Sequence, residues 1–138
     1  MNSLRKIVVT EQDLERLTRV LEQVEGGSYA QRAEVLELEL SEAEVAPAHA
    51  VPPSVVTMNS TVVFEDEGTG ETREVTLCYP QDAKGNPGRV SVLAPVGSAL
   101  LGLSQGQSVQ LVVPGGRTRR LRVVSVPYQP EAAGHFHL

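Results

Sequence analysis

The stretch from residue 89 to residue 122 constrains the fold most, because its hydrophobic period changes several times within a short distance. Val90 and Val92 alternate with polar neighbours, which is typical of a half-buried strand. Pro95 suits the first position of a helix, where its missing N–H is not needed. The apolar residues that then recur at helical spacing are Val96, Ala99, Leu100 and Leu103. A strand followed by one short helix is therefore predicted here.

The second half of this stretch predicts a hairpin. Val109 and Leu111 alternate with polar residues, so a strand is expected around them. Pro114-Gly115-Gly116 is a strong turn signal, and a return strand is expected over residues 119–128. The whole stretch is a small sheet with a helical turn packed on it.

Two further strands are expected upstream. Residues 61–64 and 71–79 show the period of two, and the acidic segment 65–70 between them predicts a turn. Residues 80–88 form a polar segment that contains Asn-Pro-Gly and predicts a loop. About five antiparallel strands with one short helix make this an α+β domain.

The N-terminal third has the period of helices instead. Thr10 is a good N-cap, with Asp13 as an acidic residue in the first turn. The apolar face of this first helix comprises Leu14, Leu17, Val20, Leu21 and Val24. Gly26-Gly27-Ser28 ends it, and a second helix begins near Tyr29. That helix carries a heptad-like seam of Tyr29, Ala33, Leu36, Leu40 and Ala43. A short antiparallel helical hairpin is predicted.

Three segments follow from these patterns. Residues 1–46 form an N-terminal arm and the helical hairpin, and residues 55–138 form the sheet domain. Residues 47–54 form a linker, since Pro47, Pro52 and Pro53 prevent the helix from continuing.

Composition narrows the function classes. The 138 residues carry a net charge of −5, which argues against a nucleic-acid binder held mainly by phosphate contacts. Cys78 is the single cysteine, so no intrachain disulfide is possible and a cytoplasmic location is expected. Neither a run of about 18 apolar residues nor a secretory signal is present, so no membrane segment is expected.

The sequence offers little catalytic or cofactor chemistry. None of the patterns for a phosphate-binding loop, a nucleophile elbow or a zinc-binding helix occurs, so we expect no cofactor. His135 and His137 lie in a tail that is expected to be disordered or lightly packed. Cys78 lies among apolar residues, which favours a buried, inert thiol.

One basic cluster stands out beside the predicted hairpin turn. It comprises Arg117, Arg119, Arg120 and Arg122. The cluster has two interpretations: charges that protect an edge strand from aggregation, or a surface for an acidic partner or nucleic acid.

Several ordered blocks resemble a known family. Residues 91–103, SVLAPVGSALLGL, and residues 106–116, GQSVQLVVPGG, are similar to the C-terminal domain of the bacterial Gre transcript-cleavage factors. Residues 55–60, 94–97 and 128–134 fit, in particular, the short relatives of the Gre factors that regulate nucleoside diphosphate kinase. The resemblance covers most of the chain from Val55 onward and implies an FKBP-like version of the α+β domain.

The resemblance also implies a partner. Gre-type C-terminal domains grip a coiled coil of the largest RNA polymerase subunit at the rim of the secondary channel. The loop that makes this contact corresponds here to Leu93, Ala94, Pro95 and Val96. This loop is either an exposed apolar interface, or a segment in which Leu93 and Val96 cap the core of the sheet. The implied function is a non-catalytic regulator that binds polymerase, competes with Gre-type factors and influences nucleoside diphosphate kinase indirectly.

Two enzymatic alternatives accompany this interpretation. A Gre factor holds a magnesium ion with acidic residues at the tip of a long coiled coil, and the residues nearest to that position are Glu22 and Glu25. Helices of about 15 residues reach only roughly 22 Å, about half of the reach that the resemblance implies for the Gre activity. The FKBP-like fold raises proline isomerase activity, but the domain has few aromatic residues to enclose a proline. We therefore expect that the protein is not an enzyme.

Overall fold

The computed structural model describes residues 7–23, 30–112, 115–136 and 138. Within these residues the chain is an α+β protein with a two-stranded sheet and a five-stranded sheet. The helices are α1 (Glu11–Glu22), α2 (Ala30–Ser41), α3 (Pro80–Ala83) and α4 (Pro95–Leu100). The strands are β1 (Val8–Thr10), β2 (Glu44–Ala46), β3 (Thr61–Asp66), β4 (Thr72–Cys78), β5 (Arg89–Ser91), β6 (Ser108–Val112) and β7 (Thr118–Tyr128).

The N-terminal cap of α1 is confirmed. The Asp13 amide donates a 3.0 Å hydrogen bond to Thr10 Oγ1, which satisfies one of the free N–H groups at the start of the helix. Leu17 is fully buried on the inner face. The predicted turn between the two helices, with Tyr29, lies outside the described residues. The helices α1 and α2 contact each other.

The five-stranded sheet has the order β5-β4-β3-β7-β6. The predicted hairpins are present, since β3 pairs antiparallel with β4 and β6 pairs antiparallel with β7. The prediction of antiparallel strands throughout is wrong at one edge, because β5 runs parallel to β4. A parallel neighbour requires a crossover, and the connection through α3 carries the chain back to the same end of the sheet.

Two boundaries differ from the sequence prediction. The polar segment 80–88 is not wholly a loop, since it opens with α3 and Pro80 stands in the first turn of that helix. The acidic segment 65–70 is not wholly a turn either. Glu65 and Asp66 complete β3, where they pair with β7. Glu65 and Asp66 lie opposite Arg122 and Leu121 of β7. These partners are distant in sequence, so the local pattern does not indicate that the strand continues.

One apolar core joins the N-terminal segment to the sheet. Ile7, Leu17 and Leu36 come from the arm and the two helices, and each is at most 1% exposed. They belong to the same buried cluster as Leu77 of β4 and Leu121 of β7. The helical region is therefore packed on the sheet domain.

The C-terminal tail is anchored at its start and exposed toward its end. The Gln129 side chain is 3% exposed, and its Nε2 donates to the backbone oxygens of Pro52 and Val55 at 2.8 and 2.7 Å. Its Oε1 accepts a bond from the Ala132 amide at 3.1 Å. His135 Nδ1 lies 2.7 Å from the Tyr128 hydroxyl, while His137 lies outside the described residues. Gln129 thus ties the start of the tail to the linker, whereas residues 132–136 are exposed, which agrees with the prediction of a lightly packed end.

Two glycines permit close approaches of the backbone. A Cβ on Gly97 of α4 would lie 2.0 Å from the Ser91 carbonyl oxygen, so only glycine fits where α4 meets β5. Gly102 has a φ of +80°, and a Cβ there would lie 2.4 Å from Ile7 Cβ. Gly102 also accepts a bond from the Val8 amide and donates one to the Val56 carbonyl. The glycines of this block are therefore required by packing.

The Gly97 contact predicts a stability difference. Gly97→Ala should lower the free energy of unfolding by about 3 kcal/mol, because the new methyl group overlaps a backbone oxygen that cannot move alone. Gly88→Ala is the control, since its Cβ would meet its nearest neighbour, Asn86 Oδ1, at 3.6 Å. Urea unfolding of both variants measures the difference. Equal stability would show that the Ser91–Gly97 approach is not constrained.

Candidate functional site

The segment that the Gre resemblance selects is a rigid connection between β5 and α4. The Leu93 amide donates to Ser91 Oγ at 3.1 Å, and the Ala94 amide donates to the Ser91 carbonyl at 3.0 Å. The Ser98 amide then donates to the Ala94 carbonyl at 2.9 Å, which begins α4. Ser91 therefore fixes the path of the chain into the helix.

The four residues of this loop differ in exposure. Leu93 is only 4% exposed and belongs to the apolar core, so the expectation that it is an exposed contact is wrong. Ala94, Pro95 and Val96 are half-buried, and Val96 packs against the core. The surface of the loop is consequently formed by Ala94, Pro95 and part of Val96, with Leu93 beneath them.

Three of the four arginines in the cluster form ion pairs within the protein. Arg119 bonds Asp66 through Nε at 2.8 Å and forms an ion pair of 2.6 Å through Nη2. Arg120 pairs with Glu67 at 2.9 Å, and Arg122 pairs with Glu65 at 2.7 Å. The guanidinium of Arg119 holds the pKa of the Asp66 carboxyl below its usual range, with help from the Gly68 amide.

The interpretation of these arginines as guards of an edge strand is wrong. Strand β7 lies between β3 and β6, so its backbone groups are already paired. The arginines instead face the acidic end of β3, and cross-strand pairs of this kind favour the observed register. Their charges are largely balanced by the carboxylates opposite.

The acidic residues expected near the hairpin tip are only partly visible. Glu22 is exposed at the last position of α1, and Glu25 lies outside the described residues. In the part of the chain that the structure describes, no group of three or more His, Cys, Asp or Glu side chains could hold a metal ion.

Cys78 is buried, as predicted. Its Sγ lies 3.6 Å from the Val90 carbonyl, and burial raises the pKa of the thiol above its usual value. A high pKa keeps the sulfur protonated and poorly nucleophilic.

A buried carboxyl that the sequence did not reveal joins α1 to the sheet domain. Asp13 is 1% exposed, and its Oδ2 accepts a 3.1 Å hydrogen bond from the Met58 amide. The turn at residues 57–60 presents this amide. Ser60 Oγ accepts from the Thr57 amide at 3.0 Å, and Asn59 adopts a left-handed φ of 70°. The alternation of acidic and apolar residues in α1 gave no sign that Asp13 faces inward.

The surroundings of Asp13 disfavour its charged form. Burial raises its pKa from 3.8 to about 7, and the nearby charge of Glu131 adds to the rise, while the Met58 amide and Arg16 oppose it. Tyr79 lies beside it. Burial, followed by the Asp13 charge, raises the pKa of the tyrosine hydroxyl well above its usual value.

Comparison with known proteins agrees with this arrangement. The family model for the C-terminal domain of the transcription elongation factors GreA and GreB matches residues 51–128. The model for the Rnk N-terminus matches residues 5–45. The chain belongs to the GreA/GreB family, in its Rnk branch. Asp13 lies in the Rnk-type segment and Met58 in the Gre-type segment, so their hydrogen bond joins the two matched regions.

Individual relatives support this assignment. The chain is 42% identical over 134 residues to the regulator of nucleoside diphosphate kinase of Escherichia coli K12, and the match covers 96% of each protein. It is 35% identical over 91 residues to GreA of Azorhizobium caulinodans, which covers 66% of this chain and 57% of that GreA. The regulator thus matches 96% of the Rnk-type chain, and GreA matches 66% of it.

A solved structure shares the fold. The GreA/GreB-type elongation factor of Nitrosomonas europaea is 44% identical, with a TM-score of 0.72. The match covers 90% of this chain and 99% of that one. The relatives carry the names of regulators and elongation factors. In the described part of this Rnk-type chain, no helix is long and apolar enough to cross a membrane.

The burial of Asp13 predicts a pH-dependent stability. The folded carboxyl keeps its proton up to about pH 7, whereas the ordinary pKa is 3.8, so the folded state binds more protons between these values. The free energy of unfolding should therefore fall as pH rises from about 4 to 7, by about 4 kcal/mol in total.

The variant Asp13→Asn should abolish most of this slope, because the amide stays neutral and its oxygen can still accept the Met58 bond. Urea unfolding at pH 5, 6, 7 and 8 measures the effect. Glu71→Gln, which neutralises an exposed carboxylate, should keep the wild-type slope. A slope that survives in Asp13→Asn would assign the pH dependence to other groups.

Proposed function

We propose that this protein is a non-catalytic regulator that binds RNA polymerase at the rim of the secondary channel and competes there with Gre-type factors. It acts in the cytoplasm, and its effect on nucleoside diphosphate kinase is indirect, through transcription. The membership of residues 51–128 in the GreA/GreB C-terminal family is the observation that carries the proposal. The 42% identity to the E. coli regulator over 96% of both chains supports a shared role.

The dimensions of the helices support binding without cleavage. In the described part of the chain, α1 and α2 each comprise 12 residues, which corresponds to about 18 Å of helix. Their inner residues Leu17 and Leu36 are buried in the common core. Helices of this length, packed on the body, supply little reach toward a distant active centre.

The loop at the start of α4 is the proposed polymerase contact. Leu93 fills the core and Ser91 fixes the backbone, so Ala94, Pro95 and Val96 are held in one conformation. A rigid loop loses little conformational entropy on binding. Leu93 thus has a supporting role, and the apolar atoms of the other three residues form the contact.

A transcript-cleavage assay separates this proposal from its enzymatic alternative. The protein is added with magnesium to a backtracked elongation complex, alone and together with a Gre factor. We expect no cleavage by the protein alone and reduced cleavage when it competes with the Gre factor. Shortened transcripts from the protein alone would favour the alternative, in which acidic residues near the hairpin tip, Glu22 and Glu25, assist cleavage.

The contact loop is tested by Ala94→Glu. A charge placed on the half-buried loop surface should weaken polymerase binding by about tenfold or more, with little loss of stability. Ala133→Glu introduces the same charge at an exposed alanine of the tail and should leave affinity unchanged. Leu93→Asp is unsuitable, because a buried charge would unfold the core. Equal affinity of both variants would remove this loop from the interface.

A further inference from the structure

A cleft between α1 and the sheet is not used by the proposed polymerase contact. It has a volume of about 700 Å³, within the range of sites for small ligands. Its walls combine Arg16 and Arg19 of α1 with Thr61, Thr76 and Arg89 at one end of strands β3, β4 and β5. Tyr128 of β7 also lines it.

The charge of this cleft is opposite to that of the chain. Three arginines line it in a protein with a net charge of −5, and Asp82 is the carboxylate side chain among the lining residues. Arg19 pairs with Glu15 on the same helix, with both side chains about two-thirds exposed. Exposed pairs of this type are weak, so Arg19 can exchange its partner for a ligand. Arg89 forms no ion pair with any residue that the structure describes.

Neutral donors surround the arginines. The hydroxyls of Thr61 and Thr76 lie 3.0 Å apart across the β3–β4 pair. Asn59 lines the cleft from a left-handed conformation that non-glycine residues rarely adopt. Tyr79 also lines it and is 7% exposed, and its hydroxyl lies beside the side chains of Arg16 and Asp13.

We propose that this cleft binds a small organic diphosphate. Guanidinium groups from two different elements match the paired oxygens of phosphate, and the threonine and asparagine side chains can donate further hydrogen bonds. The volume exceeds what inorganic phosphate needs, and the half-buried Tyr128 ring offers a face for a flat organic group. The concave shape favours a small molecule over a protein surface. The inference is independent of polymerase binding.

Titration calorimetry of the full chain with ADP and with inorganic pyrophosphate tests the proposal. We expect both probes to bind, and ADP to bind more tightly because its ring adds a contact. Arg89→Gln should weaken ADP binding by about tenfold, as expected for loss of a charged phosphate contact. Arg73→Gln removes an exposed arginine from β4 that does not line the cleft, and it should leave affinity unchanged.

Arg19→Gln provides a second variant on α1, with the same expected loss, should Arg89→Gln fold poorly by its thermal unfolding midpoint. If neither ADP nor pyrophosphate binds at concentrations up to about 1 mM, the proposal is overturned. An equal loss in Arg73→Gln and Arg89→Gln would also overturn it, because it would show attraction to net charge alone. Binding of pyrophosphate without ADP would overturn the assignment of an organic ligand.

Discussion

The rest of the structure depends on the close contact between the N-terminal arm and the body at Ile7 and Gly102. Ile7 is fully buried, and its Cβ occupies the space that a side chain at Gly102 would fill. The backbone of Gly102 bonds at once to Val8 in the arm and to Val56 beyond the linker. The parallel pairing of β1 with β2 then fixes the end of α2 beside the arm. One residue without a side chain thus allows two segments of different family type to share a core.

The Asp13–Met58 hydrogen bond adds direction to this apolar contact. Burial of a carboxyl is unfavourable by itself, and a protonated or hydrogen-bonded carboxyl reduces the cost. The Met58 amide is available because Ser60 and Asn59 shape the turn around it. Apolar contacts are not directional and allow several placements of α1 over the sheet. A hydrogen bond to one amide selects a single placement. The polar contact therefore contributes specificity at the expense of some stability.

The sequence was informative wherever a local signal decides the structure. The cap at Thr10, the hairpin at Gly115-Gly116 and the helix after Pro95 all depend on neighbouring residues, and each is present. The signals failed where a distant partner decides. Strand β5 pairs parallel because of the crossover through α3, and Leu93 is buried because the sheet packs over its loop. The arginines near the hairpin led to the wrong prediction of an edge strand, because their partners Glu65 and Asp66 are far away in sequence.

The candidate sites divide in the same way. The blocks that resemble Gre factors selected the loop at Ala94 and Pro95, because that segment is continuous in the chain. The arginine-lined cleft could not be found from the sequence, since Arg16 and Arg89 are distant in sequence and become neighbours only after α1 docks. Tyr79 likewise had the pattern of an ordinary strand residue, and its position beside Asp13 and Arg16 of α1 is a property of the assembled fold.

The shared core has a consequence for how such chains can be recombined. In this chain the Gre-type domain uses its surface around Gly102 to pack against the Rnk-type N-terminal segment. If a different N-terminal region were grafted onto residues 51–128, the surface around Gly102 would be exposed to solvent unless the graft placed an apolar residue at the position of Ile7. In this branch of the family, the two regions are expected to evolve as a matched pair.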